Sequence, residues 1–584
     1  MKDSRTTSLS DTSTQHDGTP RVASHDASVS ATKEAPSETG VDGSVEKDPE
    51  PEKAAPAAPA MPNITYPGPL LSGILYIALL LAMFLVALDM SIIATAIPTI
   101  TSQFHSVDSV GWYGSAFFMT LAAFQSFWGK AYKFFPLKTA FLACISIFEL
   151  GSLIVAVAPN SPAVIAGRAI QGVGGAGITG GCYTICAFIT KPAKLSAIFG
   201  IFSFVWSCSS VLGPVLGGIF TNGPSWRWCF YINLPIGGVT IAIITIFFKT
   251  PPHSRVAHCK PKDIPFLFDF PGIALILAAF VCYLIALQDG GITKSWSNSE
   301  PIGLLVGFGL IIIVFIVNEW KQGENAMFVP RIIKRRSIAV LSLFTFLAQG
   351  AGFSRIYNLP IYFQAVQGVS PTQSGVRTLP TVLTTSIFAF IGSVALGKMG
   401  YYQAFLLVGG IFFTVGSGMI YTLDLHSGPG KYIGYQVLTA IGSGLVIQLP
   451  VIVSQAISTR PDMSVTVATV LGAQFIGGTI GVSAAQNIQD NVVLKSLPKN
   501  NANVDPAAVL AAGAGSLAQQ FPNPADLNIV VSAYIKGLHA AWIWSIVLSG
   551  LAFIVAFGAE WKSTRPQDVK KRLEAKKAAA ETSA

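Results

Sequence analysis

Residues 72–94 read SGILYIALLLAMFLVALDMSIIA, an apolar run broken by a single charge, Asp89. At 1.5 Å per residue about 20 such residues cross the ~30 Å hydrocarbon core of a bilayer as a helix. The pattern recurs along the chain. Apolar runs between charged or Pro/Gly breaks predict spans near 72–94, 110–129, 139–158, 163–189, 197–220, 232–249, 270–287, 302–319, 338–360, 376–396, 403–422, 432–456, 464–486 and 538–559. The expectation is an all-α integral membrane protein of fourteen transmembrane helices. Composition agrees, with 51% hydrophobic and 11% charged residues, more apolar surface than a soluble core can use.

The fourteen spans and their short loops leave no room for a soluble catalytic, ATPase or nucleic-acid-binding domain, so any driving force is a gradient. No HExxH, Walker or contextual GxSxG motif is present, and no enzyme or cofactor is expected. The net charge of +9 reads as orientation, because the basic residues cluster in particular loops. Lys130, Lys133 and Lys138 follow span two, Lys191 and Lys194 span four, Lys249, Arg255, Lys260 and Lys262 span six, and Lys321, Arg331, Lys334, Arg335 and Arg336 span eight. A basic tail from Lys562 follows span fourteen. Even-numbered exits and both termini are therefore expected in the cytosol.

The runs divide six, two and six. Residues 1–68 are expected to form a disordered N-tail, 69–249 a six-helix bundle, 250–336 a linker with two inserted helices, 337–560 a second six-helix bundle with an outer loop at 487–537, and 561–584 a basic C-tail. Paired bundles suit a carrier whose site lies between them near the midplane. The seven cysteines lack metal-ligand spacing and read as small core residues.

Charges inside spans are costly and so tend to be paired or functional. Asp89 and Arg168 lie at similar depth in spans one and four, and an ion pair between them would poise a carboxylate for proton uptake and release. Arg227 is a rival partner for Asp89, and a purely structural pair is the plainer alternative. Glu149, in the middle of span three, is a second proton-relay candidate or a neutral buried acid. Arg355, toward the outer end of span nine, is expected to snorkel to the interface, and Trp226, Trp228 and Tyr231 to join an interfacial aromatic belt. Gln125, Gln171, Gln349, Gln448, Gln455 and Gln474 are uncharged polar groups in apolar spans. A cavity so lined suits an amphipathic, uncharged organic molecule, with interhelical hydrogen bonding as the alternative for each amide. Gly213-Pro214-Val215-Leu216-Gly217-Gly218 in span five predicts a bent, small-faced helix.

Several of these stretches, in order, resemble the major facilitator superfamily, in particular its fourteen-span drug/proton antiporter branch. LDMSIIATAIPTI (88–100) resembles the first-span motif, GRAIQGVGGAG (167–177) the fourth-span RxxQGxG motif and GPVLGG (213–218) the antiporter motif. SWRWCFYINLPIGG (225–238) and YFQAVQGVSPTQSGVRTLP (362–380) are similar to signatures of fungal mycotoxin-efflux members. The resemblance implies the major facilitator fold of two six-helix bundles plus two inserted central helices. It further implies proton-driven export of a toxic metabolite or drug through the plasma membrane by a monomer, with Asp89 and Arg168 in coupling and Gly213, Pro214, Gly217 and Gly218 as the antiporter bend. A siderophore or vacuolar basic amino-acid importer, and a non-transporting sensor, are the alternatives. The loop GKAYKFFPLK (129–138) keeps Gly129 and Lys138 of the gating motif but carries Lys133 and Pro136 where an acid and a glycine are usual.

Overall fold

The computed structural model describes residues 66–106, 109–251, 264–498 and 504–565, together with Ser254, Asp568 and Ala575. The expected N-tail, most of the basic C-tail, and Cys259 with its basic neighbours lie outside the described residues. Fourteen long helices follow one another: α1 Pro69–Phe104, α2 Val110–Phe134, α3 Leu137–Ala156, α4 Ser161–Ile189, α5 Pro192–Asn222, α6 Asn233–Phe247, α7 Phe270–Asp289, α8 Ser299–Gln322, α9 Arg336–Ile361, α10 Pro371–Met399, α11 Tyr402–Tyr421, α12 Pro429–Ile447, α13 Met463–Ser496 and α14 Pro524–Ala556. Among the described residues there is no strand, only two isolated bridges.

Local chemistry sets the helix starts. Proline stands in the first turn of α1, α4, α5, α7, α10, α12 and α14, where the missing N–H costs nothing. Asn160, Asp269, Ser370 and Asn523 accept a first-turn amide at the starts of α4, α7, α10 and α14.

Among the described residues thirteen helices are long and apolar enough to cross a membrane. The remaining expected span, α2, has 25 residues rich in aromatic and small side chains, and it packs between α4 and α13, where protein replaces lipid as its surroundings. Several boundaries differ from the reading of the sequence: α1 runs on to Phe104, α12 stops at Ile447 before a separate short helix Leu449–Ile457, and two more reshape the outer loop. Helix α13 continues to Ser496 and α14 begins at Pro524, so the expected outer loop at 487–537 shrinks and Lys536 lies within a helix. Polar residues such as Gln486, Asn487, Asp490 and Asn491 ended the apolar count, but Asn487 and Asn491 donate to the carbonyl of Gly290, and those bonds extend α13.

Helices α1–α6 pack as one group and α9–α14 as another. The second helix of each group lies against the fifth of the other, α2 on α13 and α10 on α5, the arrangement of a pseudo-two-fold repeat. Helices α7 and α8 pair with each other, and α7 rests on α2 and α13.

Candidate functional site

The deepest polar cluster lies inside the first bundle. Asp89 on α1 and Arg168 on α4 are fully buried and form an ion pair through Oδ2 and Nη1. Gln171, one turn beyond Arg168, donates to Asp89 Oδ1 at 3.0 Å and to Ser152 Oγ at 2.8 Å, and accepts from Arg168 Nη1 at 2.9 Å. Asn233 at the start of α6 donates to Asp89 Oδ1 at 3.3 Å and Ser152 Oγ at 3.1 Å. Arg168 Nε reaches the carbonyl of Tyr113, and its guanidinium lies 4.6 Å from the Phe117 ring centre. Arg168 Nη2 and Asn233 Oδ1 retain unused hydrogen-bonding capacity. A buried pair held by this many additional bonds balances both charges without water.

Arg227, the rival for Asp89, instead donates to the carbonyl of Ala156 at 3.0 Å and stacks on Trp226. Gln171, expected to face a substrate cavity, belongs to the charged cluster. Reading the sequence missed Asn233 and Ser152. Asn233 lies in the quoted SWRWCFYINLPIGG stretch, so its position carried a signal, whereas Ser152 had none beyond sharing a helix face with Glu149.

Glu149 stands one turn from Ser152 on α3, buried, with neither carboxylate oxygen bonded. It occupies the place a Cβ would take at Gly237 on α6. Two acids therefore sit at successive depths of the same bundle.

A small cavity of about 30 Å³ lies between the bundles, lined by Thr179, Tyr183, Ser203, Gln448, Gln474 and Phe475 among others. This is room for one or two waters. Tyr183 on α4 donates to Gln448 Oε1 at 3.1 Å, Gln448 bonds Ser203 on α5, and Gln455 reaches the Tyr183 carbonyl at 3.1 Å. Gln448 and Gln455 thus share a face, as their spacing predicts. Gln125 is fully buried with both amide atoms unbonded, and Gln349 is buried on α9.

The face where α1 begins and α14 ends, here the termini face, is held shut. Lys133 at the end of α2 lies 3.6 Å from Asp462, which also takes two bonds from Arg331 at 2.9 and 3.0 Å. Gly129 brings α2 onto α13, with its missing Cβ directed at Ala468 and, at 3.1 Å, the Ser464 carbonyl. Lys130 binds the carbonyls of Leu267 and Asn325, beside the inserted pair. Lys138 reaches the Thr245 carbonyl at 2.6 Å and ties α3 to α6. The acid absent from the loop after α2 is therefore supplied by the other bundle.

In the 213–218 segment, Gly213 and Gly217 lie against Ser91, Ile92 and Thr95 of α1, Gly218 meets open space, and α5 runs on through Pro214. Two expectations fail. Arg355 does not snorkel: it is 3% exposed, with its guanidinium over Phe413. Trp226 leaves the interfacial belt for the interior, where it bonds Gln103 and packs on Phe230, while Trp228 stays exposed. Cys144, Cys182, Cys186 and Cys229 are buried, and no metal-ligand cluster occurs among the described residues.

Two repeated bundles, an enclosed charge pair in one and a cavity between them define a two-bundle membrane carrier. The chain belongs to the Major Facilitator Superfamily, whose pattern matches residues 79–485. It is 42% identical to the MFS-type transporter grgE of a Penicillium species over 85% of this chain and 88% of that one. It is 39% identical to the MFS-type efflux pump MFS1 of Trichophyton rubrum over 85% and 92%. These relatives are transporters and not enzymes. In fold it is similar to the proton:xylose symporter XylE, with a TM-score of 0.55 at 11% identity over 86% of this chain and 98% of the other.

Proposed function

We propose that this chain exports an amphipathic small organic molecule, a fungal secondary metabolite or drug, in exchange for protons across the plasma membrane. The observation that carries the reading is the enclosed Asp89–Arg168 pair, backed by a second buried acid at Glu149. The efflux names of the relatives support the direction. The termini face is the cytosolic one, because the basic loops lie there.

A proton reaching Asp89 from the opposite face neutralises the carboxylate and leaves Arg168 held by Gln171 and the Tyr113 carbonyl alone. The charge change weakens the links between α1, α4 and α6 and lets one bundle rock against the other. Glu149, nearer the termini face, takes the proton onward to the cytosol. The cavity lined by Gln448 and Gln474, with Gln125, Gln349 and Gln455 close to the bundle seam, widens as the bundles part and receives the substrate. A pocket of several hundred Å³ is needed for a drug-sized molecule, so the closed form holds none. Lys133, Lys138 and Gly129 close the cytosolic side, Gly213, Pro214, Gly217 and Gly218 let α5 slide on α1, and the carrier works as a monomer.

The test is flux in proteoliposomes under an imposed proton gradient, wild type against Asp89→Asn, with a panel of apolar toxins. Gradient-driven export in the wild type and gradient-independent exchange in the variant support the reading. A variant that remains gradient-driven removes Asp89 from coupling, and gradient-driven uptake makes the carrier an importer.

A further inference from the structure

Arg355 sits nearly as far into α9, the first helix of the second bundle, as Asp89 does into α1. There the resemblance of the two bundles ends. Asp89 has an arginine, whereas Arg355 is 3% exposed and its Nε and Nη1 hydrogens meet no acceptor. Its polar interaction is with the Phe413 ring, 5.2 Å from the guanidinium carbon. An arginine does not shed its proton in a protein, and a ring face compensates only part of the cost of burying its charge.

The neighbouring groups have the same bias. Asn358, on the same face of α9, has an unbonded Nδ2. Across the seam on α14, Trp542 Nε1 and Ser545 Oγ are unbonded, and all three residues are at most 3% exposed. Packing sets their level. Tyr362 meets Trp542 edge to face with ring centres 5.7 Å apart, and Gly350 faces Leu548. Because α9 and α14 run antiparallel, Arg355, Asn358 and Ser545 fall between those two contacts. Donors on α9 and α14 that have no bonded acceptor thus lie along the same stretch of the seam as a buried cation whose guanidinium faces Phe413 of α11.

We propose that the α9–α14 seam binds one monovalent anion against Arg355, either a free halide or the acidic group of a transported organic acid. Arg355 supplies the charge, Asn358 Nδ2 and Ser545 Oγ complete the donor shell, and the Phe413 ring holds the guanidinium plane. The proposal does not rest on the direction of transport or on proton coupling, since binding is read without flux.

The experiment is thermal unfolding of the purified full chain in detergent, in sodium chloride, sodium benzoate and sodium gluconate at equal ionic strength. The expected result is a melting midpoint about 3 °C higher in chloride or benzoate than in gluconate, and no such difference in Arg355→Gln. A shift in chloride identifies a free ion as the occupant, and a shift in benzoate alone identifies an organic acid group. Ser545→Ala, a milder change, should weaken the midpoint anion concentration several-fold if Arg355→Gln does not fold. Equal midpoints of the wild type in all three salts, or an anion shift that survives in Arg355→Gln, overturns the proposal.

Discussion

Asp89 and Arg168, 79 positions apart in the chain, are joined inside the first bundle with neither side chain exposed. Gln171, Asn233 and Ser152 close the circle around them, so three more side chains depend on that one charge pair.

Removing one charge leaves the other buried and unbalanced, which costs about 3–5 kcal/mol. Asp89→Ala should therefore lower the melting temperature of the purified protein sharply. Asp89→Ala combined with Arg168→Met should recover most of that loss while transport stays uncoupled from the proton gradient. A double variant no more stable than the single one would show that the pair is not what Asp89 stabilises.

Glu149 has no hydrogen-bond partner to lose. Glu149→Gln is expected to leave stability within about 1 kcal/mol and to flatten the pH dependence of flux. Gly237→Ala should be worse than Glu149→Gln for folding, because its methyl group collides with the carboxylate, an overpacking of about 1–3 kcal/mol. Thermal melts of the two variants, read beside their flux against pH, check both expectations.

Closure of the termini face rests on Lys133 and Asp462 together with the close approach at Gly129. Lys133→Glu sets two acids against each other, but the lysine is partly solvated, so stability should change by no more than about 1 kcal/mol. The larger effect should be on conformation. A cysteine at Ser464, buried in the closed form, should react faster with a water-soluble maleimide in the Lys133→Glu background, and faster still with Gly129→Val. Unchanged labelling would show that the seam closes without this pair.

At the start of α7, burial alone would raise the Asp269 carboxyl, but hydrogen bonds with Glu319, Asn318 and the amides of Met327 and Gly272 hold it below the ordinary carboxylate value. A depressed folded value means stability that is present above the unfolded pKa of about 3.9 and is lost as pH falls through the folded value. Asp269→Asn should thus be less stable than wild type at pH 7, with the gap narrowing below about pH 4. A gap that stays constant across this range would rule out the charge as its cause.

Much of the architecture was legible because it follows from composition over short windows. Each run near 20 apolar residues announces its helix, and the fourth-span RxxQGxG stretch marked Arg168 and Gln171. What failed were statements about neighbours. Arg355 read as an interfacial snorkeller and lies inside its bundle, and Trp226 turned inward; Arg227, only a rival to Arg168 as the partner of Asp89, bonds a backbone carbonyl instead. The outer loop read too long because amides that would end a lipid-facing span are satisfied by Gly290.

The amino-acid sequence by itself determined the number of the helices and the six-two-six division, because a bilayer offers no water to backbone N–H and C=O groups and makes helix formation a local necessity. Beyond the Asp89–Arg168 pair, which equal depth already suggested, only the tertiary structure decided which charges meet. A residue's partner depends on how each helix is rotated about its own axis, and that rotation is the summed outcome of packing with distant segments. It left Glu149 facing a glycine, matched Lys133 with an acid from the other bundle, and buried Arg355 over the Phe413 ring.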